Sequence, residues 1–254
     1  MIDYLEHHIT DHCNLNCAGC SHFSPLAPTW FEQIDEFEKD FGVLSLKTYG
    51  EVGTIRIMGG EPLLHPYFDR FLIMARDLFP YSEIQLVTNG LLVKKFKHIL
   101  QPLCNQLRII ICISDYGLEG FDMLDTIRGF QYVRIDWKNQ FYNIGLDVAG
   151  AQDPLTAFKG CDLHVNKWFY FQGGRFYPCC VGANLKHFIN YFNLPFEKYS
   201  NDSISISVHE HSIEEIEDFL AKPIPLCKYC HTATRKNKID FKQSQKEISE
   251  WTYQ

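Results

Sequence analysis

Over about the first 140 residues, short apolar runs alternate with longer amphipathic ones. A chain satisfies that pattern by laying strands side by side in parallel and crossing back through helices. Strands are expected at Tyr4–Ile9, Thr54–Met58, Glu83–Thr88, Arg108–Ser114 and Gln131–Asp136. Between the first two, Phe31, Ile34, Phe37, Phe41 and Leu44 recur at helical spacing, and Phe68, Leu72 and Ala75 do so before the third. Because successive strand residues point to opposite faces, Ile109, Ile111 and Ile113 should meet the helices. Arg108, Ile110, Cys112 and Ser114 should then face the other way, together with Tyr132, Arg134 and Asp136 of the fifth strand. Such an inner face is polar enough to line a substrate cavity.

After Asn139 the pattern changes. Gly145, Gly150 and Pro154 punctuate a loop-rich stretch, and two aromatic runs around Gly173-Gly174 read as a β-hairpin. Ile213–Leu220 reads as a short helix that Pro223 and Pro225 end. The expected organisation is a core over 1–150, a small α+β module over 151–235 and a helical tail over 236–254.

With 254 residues, 46% of them hydrophobic, the chain can bury a large core, and its net charge of -7 provides no basic footprint for nucleic acid. The first residues, with Asp3 and Glu6, hold no apolar signal segment, and no run is long enough for a membrane span. A cytoplasmic protein without nucleic-acid or membrane partners is expected. In a reducing compartment its ten cysteines are better read as metal ligands than as disulfides.

Cys13, Cys17 and Cys20 follow the first expected strand in the pattern CxxxCxxC, so only a loop wrapped around something brings them together. A cubane takes four ligands, and a local triplet leaves one iron open. A zinc loop completed by His12 or His22 is the competing reading. Gly59-Gly60-Glu61-Pro62 follows the second strand, where loops of parallel α/β proteins build sites.

Together these two motifs resemble the radical S-adenosylmethionine (SAM) superfamily, although the usual aromatic residue before the third cysteine is Gly19 here. The resemblance implies a partial parallel βα barrel, and a [4Fe-4S] cluster on Cys13, Cys17 and Cys20 whose open iron binds SAM. It implies SAM contacts at Gly59, Gly60, Glu61 and Pro62, at Thr88 and Asn89, and at Ser114 and Asp115. Asn89-Gly90 is also a common turn pair, and Ser114 can equally cap a helix.

Cys161, Cys179, Cys227 and Cys230 make a second four-thiolate set, with Cys180 beside it. Their arrangement resembles the twitch module of the superfamily, a short relative of the SPASM domain, which implies a second [4Fe-4S] cluster. Closed tetrathiolate zinc is the alternative, and either Cys179 or Cys180 can be the ligand. The superfamily commonly has six barrel strands; a sixth is either absent here or lies between Phe141 and Val148.

Length, spacing and a single auxiliary cluster resemble those relatives that oxidise a secondary alcohol of an aminocyclitol. The implied reaction is oxidation of a small polar substrate, a carbohydrate, sugar nucleotide or cyclitol, with an external donor such as flavodoxin or ferredoxin. Arg56, His65, Tyr132, Arg134 and Asp136 are the candidate substrate residues. Epimerisation is the alternative, with Cys112 or Cys180 as hydrogen donor. Peptide modification and a non-catalytic metal-binding interaction module are the further readings.

Overall fold

The computed structural model describes residues 2–119, 121–137, 140–195, 204–236 and 238–253. The chain divides into two compact units, 1–15 with 29–139 and 16–28 with 140–254.

The first unit is built on five parallel strands in the order β5-β4-β3-β2-β1. They are β1 (Tyr4–Thr10), β2 (Thr54–Gly59), β3 (Glu83–Thr88), β4 (Ile110–Asp115) and β5 (Val133–Trp137). Each crossover carries a helix: α1 (Ile34–Thr48), α2 (Phe68–Leu78), α3 (Lys97–Leu107) and α4 (Met123–Ile127). Their apolar stripes close the outer face. Phe37 and Phe41 of α1 stack with centroids 4.0 Å apart, and Phe71 of α2 meets Phe37 edge-on at 5.1 Å. His7 of β1 packs edge-on against both α1 rings, which places the odd-numbered β1 residues outward and Tyr4 and Glu6 inward. The register puts Cys112 beside Arg134 and Ser114 beside Asp136. Arg108 is not part of β4: it ends α3 in a left-handed conformation, with φ 54°.

One buried carboxylate ties the strand ends together. Glu61, with no solvent exposure, accepts hydrogen bonds from Leu63 N at 3.1 Å, Thr88 Oγ1 at 2.8 Å and Asn89 N at 2.8 Å. The turn after β2 is thereby fixed to the turn after β3.

In the second unit, β7 (Phe169–Gln172) and β8 (Arg175–Tyr177) form the expected hairpin. Its turn needs left-handed backbone at both central positions, and Gly173 and Gly174 supply φ of 56° and 66°. β9 (Ile206–Ser207) pairs antiparallel with β8. Around these strands lie α5 (Pro154–Lys159), α6 (Asp162–Val165), α7 (Cys180–Phe192) and α8 (Ile213–Leu220). A reciprocal capping box between Ser212 and Glu215 starts α8.

One open alternative is narrowed and one expectation needs correction. Residues 140–142 form β6 (Gln140–Tyr142), which pairs antiparallel with β10 (Lys238–Asp240) and so is not a further parallel barrel strand. The segment expected as a helical tail holds β10 and one short 3-10 turn, Ile248–Glu250. Its backbone is spent elsewhere, because residues 242–244 run beside the Cys17 loop. Ala18 N donates to Lys242 O at 2.9 Å and Ser244 N to Asn16 O at 2.8 Å. Trp251, fully buried among Phe23, Phe188 and Phe192, donates its indole N–H to Cys20 O at 3.0 Å. A helix over this stretch would lose those contacts.

Two outcomes follow from these anchors. Trp251→Ala removes a buried ring and a hydrogen bond to the Cys20 loop, and should cost about 3–5 kcal/mol in denaturant unfolding; a loss below about 1 kcal/mol would contradict the anchor. Burial raises the Glu61 carboxyl to about 7, outweighing its three donors. Since the native group holds its proton at pH values where the unfolded one releases it, stability should fall as pH rises from about 4.5 to about 7, by on the order of 3 kcal/mol. Glu61→Gln should flatten that stretch of a melting-temperature against pH curve, and identical slopes in the two proteins would refute the assignment.

Candidate functional site

The carboxyl ends of β2, β3 and β4 gather the polar residues that the sequence singles out, as expected at the site-forming end of a parallel sheet. Gly60 N donates to Thr10 O and Glu61 N to His12 O, both at 2.8 Å. A Cβ on Gly60 would stand 2.3 Å from His12 O, so only glycine permits this approach. The turn therefore holds the chain as it enters the loop containing Cys13, whose Sγ accepts from Leu15 N at 3.4 Å. Asn89 reaches the same loop through Nδ2, which donates to Asn14 Oδ1 at 2.7 Å. Thr88 Oγ1 donates to Glu61 and accepts from Gly90 N. Asp115 accepts from Gly117 N at 2.8 Å, and Ser114 beside it is buried. Glu61, Thr88 and Asn89 thus hold one another, and Pro62 begins a buried 3-10 turn.

On the inner face a second network joins four strands. Arg56 donates to Tyr4 Oη at 2.7 Å and to Cys112 Sγ at 3.5 Å, and lies 3.6 Å from Asp136 Oδ2 and 3.8 Å from Glu6 Oε1. Its buried Nε has no acceptor among the described residues. The Cys112 thiol donates to Asp136 Oδ2 at 3.2 Å. Burial pushes that thiol up to about 11, so it stays protonated at neutral pH. Burial and the neighbouring Glu6 raise the Tyr4 hydroxyl well above its ordinary value. Asp136 is about one-third exposed (32%) and is the accessible carboxylate of the set.

The remaining candidates divide. Arg134 pairs with Glu83 at 3.3 Å at a solvent-exposed position, and Tyr132 lies exposed just before β5. His65 is not available to a substrate. Its Nε2 donates to Glu32 O at 3.1 Å and its Nδ1 accepts from Tyr67 N at 3.0 Å, so the ring serves as a buried brace.

In the second unit, Gly19 explains its own departure from the usual aromatic residue. Its φ is 68°, where any L side chain is strained, and a Cβ would stand 3.1 Å from Glu250 O, a tight contact. Burial works to raise the Cys20 thiol, but the His22 side chain and the backbone at His22 and Ser24 hold it below its ordinary value. That favours the thiolate a metal needs.

Cys161, Cys179, Cys227 and Cys230 line one pocket, with His164 stacked on Phe158 at its wall. Cys180 is buried in the apolar core among Leu185 and Phe188, away from the pocket lining. Burial, and then the neighbouring thiols of Cys161, Cys180 and Cys230, push Cys179 well above the ordinary range. Burial pushes Cys227 up to about 12. Three thiols that burial keeps from ionising, Cys179, Cys227 and Cys230, suit a bound group that brings positive metal charge. Among the described residues, no three of these sulfurs lie within 4.8 Å of one another. A four-thiol set of this kind accepts tetrahedral zinc or an iron-sulfur cluster alike. The residues fit an iron-sulfur group. Arg235, which no sequence motif marks, is buried in the same lining and donates to Cys161 Sγ at 2.9 Å. Only its place shortly after Cys230 hinted at this.

No helix among the described residues is long and apolar enough to cross a membrane. Residues 8–113 match the Radical SAM superfamily. GTP 3',8-cyclase of Nautilia profundicola is 35% identical over 151 residues, 58% of this chain and 43% of that protein. The Helicobacter pylori GTP 3',8-cyclase is 34% identical over 167 residues, 65% and 46% respectively. The chain spans about half the length of these relatives or less. The crystal structure of BtrN in complex with AdoMet and 2-DOIA superposes with a TM-score of 0.54 at 18% identity, covering 91% of this chain and 93% of that one, a likeness of fold. The CxxxCxxC and GGEP motifs lie within the matched residues, and over 8–113 the chain is similar to the radical SAM superfamily.

Proposed function

We propose that the chain is a radical SAM oxidoreductase that oxidises a secondary alcohol of a small polar molecule, a carbohydrate, sugar nucleotide or cyclitol. The carrying observation is the complete set of four thiols, Cys161, Cys179, Cys227 and Cys230, around one pocket. A second [4Fe-4S] cluster held by all four has no open iron and serves electron transfer. When bound to the cluster of Cys13, Cys17 and Cys20, SAM supplies a 5'-deoxyadenosyl radical that removes a hydrogen atom from carbon. A cluster held by Cys161, Cys179, Cys227 and Cys230 would accept the one electron that the substrate radical must lose, and a base would take its hydroxyl proton to leave a ketone. Asp136 suits that base, being a reachable carboxylate on the inner face. The unsatisfied Nε–H of Arg56 suits a substrate oxygen. The backbone at Gly59 and Gly60, with Thr88, Asn89, Ser114 and Asp115, is assigned to SAM, and a flavodoxin- or ferredoxin-like donor to reduction of the first cluster.

Epimerisation is the second reading, and Cys112 favours it. A hydrogen-atom donor must keep its S–H, as burial and Asp136 make this thiol do. GTP is a further substrate to try, because the cyclase relatives act on it by name.

The test is anaerobic reconstitution with reductant and SAM. Cys17→Ala should abolish 5'-deoxyadenosine, and unchanged release would sink the assignment of the first cluster. Cys227→Ala should halve the bound iron while SAM cleavage survives; full iron in that variant would refute the auxiliary cluster. In D₂O with cyclitol or sugar substrates, a ketone lacking the carbon-bound hydrogen is expected. Recovered alcohol carrying one carbon-bound deuterium, lost in Cys112→Ala, would replace oxidation with epimerisation.

A further inference from the structure

A buried cation faces the four thiols. Arg235 is 6% exposed, donates through Nη1 to Cys161 Sγ at 2.9 Å and is locked by Nε to Ile144 O at 3.1 Å. A guanidinium keeps its charge even when buried. An unpaired guanidinium in such a setting would be costly, so its natural partner is the negative charge of the sulfur set.

We propose that Arg235 raises the reduction potential of the auxiliary cluster, resting on the reading that Cys161, Cys179, Cys227 and Cys230 hold one. A four-thiolate cubane is anionic, and taking up an electron adds one more negative charge. A cation fixed against one of its ligating sulfurs, in surroundings that screen poorly, favours the reduced form. The hydrogen bond to Sγ withdraws electron density from the Fe–S bond and acts in the same direction. Arg235 is therefore a positioning and charge-setting residue, one that touches neither substrate nor SAM. Its effect is to make the cluster a better acceptor for the electron that an alcohol oxidation releases.

The test is an EPR-monitored redox titration of the full chain in the Cys17→Ala background, so that the auxiliary cluster is observed by itself. Arg235→Gln should lower the reduced-to-oxidised ratio at fixed potential by at least about tenfold, about 59 mV downward for a one-electron couple. Arg235→Lys, which keeps the charge and loses the fork, should fall between the two. Equal potentials in all three proteins would overturn the proposal. If the Gln variant loses its iron, the Lys variant decides: a lowered potential supports the proposal, an unchanged one overturns it. Loss of iron from both variants would make Arg235 a requirement for assembly and overturn a tuning role. A Cys17→Ala chain that binds no iron at all would defeat the cluster reading itself, a result separate from any of these.

Discussion

A carboxylate out of reach of water holds the first unit's site in place. Glu61 receives three donors from two different turns, and without it Leu63 N and Asn89 N would be left buried and unpaired. The loss of a buried acceptor costs more than the bond itself is worth, because the stranded donors keep their full desolvation penalty. Asn89, positioned by that bond, then reaches Asn14 in the loop after β1. Order at the mouth of the sheet therefore runs from β2 through Glu61 to β3, and from β3 back to the segment that carries Cys13. The glutamate of the GGEP sequence acts on its own chain, and the neighbouring glycines bring backbone close to backbone.

The strands were legible because period two and period 3.6 leave different marks, and Glu83–Thr88 and Ile213–Leu220 fall where those marks place them. The gathering of Cys161, Cys179, Cys227 and Cys230 around one pocket was signalled in sequence by the Cys227-Lys-Tyr-Cys230 pair and by Cys161 and Cys179 flanking the hairpin. His65 was misread for a reason that sequence does not carry: whether both ring nitrogens are occupied depends on Glu32 and Tyr67 coming to it in space. Arg235 was invisible for the opposite reason. A single arginine among exposed-looking residues has no periodicity, and only the fold reveals that it is buried against sulfur.

The choice between Cys179 and Cys180 illustrates the same limit. The two are neighbours in sequence with identical chemistry, and the start of α7 separates them. Cys179 sits in extended backbone at the cap and lines the pocket, whereas Cys180, the first helical residue, turns into the apolar core. A one-residue change of backbone conformation converts a candidate ligand into a packing group.

The Trp251 anchor has a consequence for the order of events in biosynthesis. Cys20 accepts the indole N–H of a residue 231 positions further along, and residues 242–244 pair with the backbone of the same loop. A nascent chain on the ribosome carries Cys17 and Cys20 long before it carries the segment that braces them. Iron delivered during translation would therefore meet a loop without its support, and delivery to the released chain would meet one already shaped.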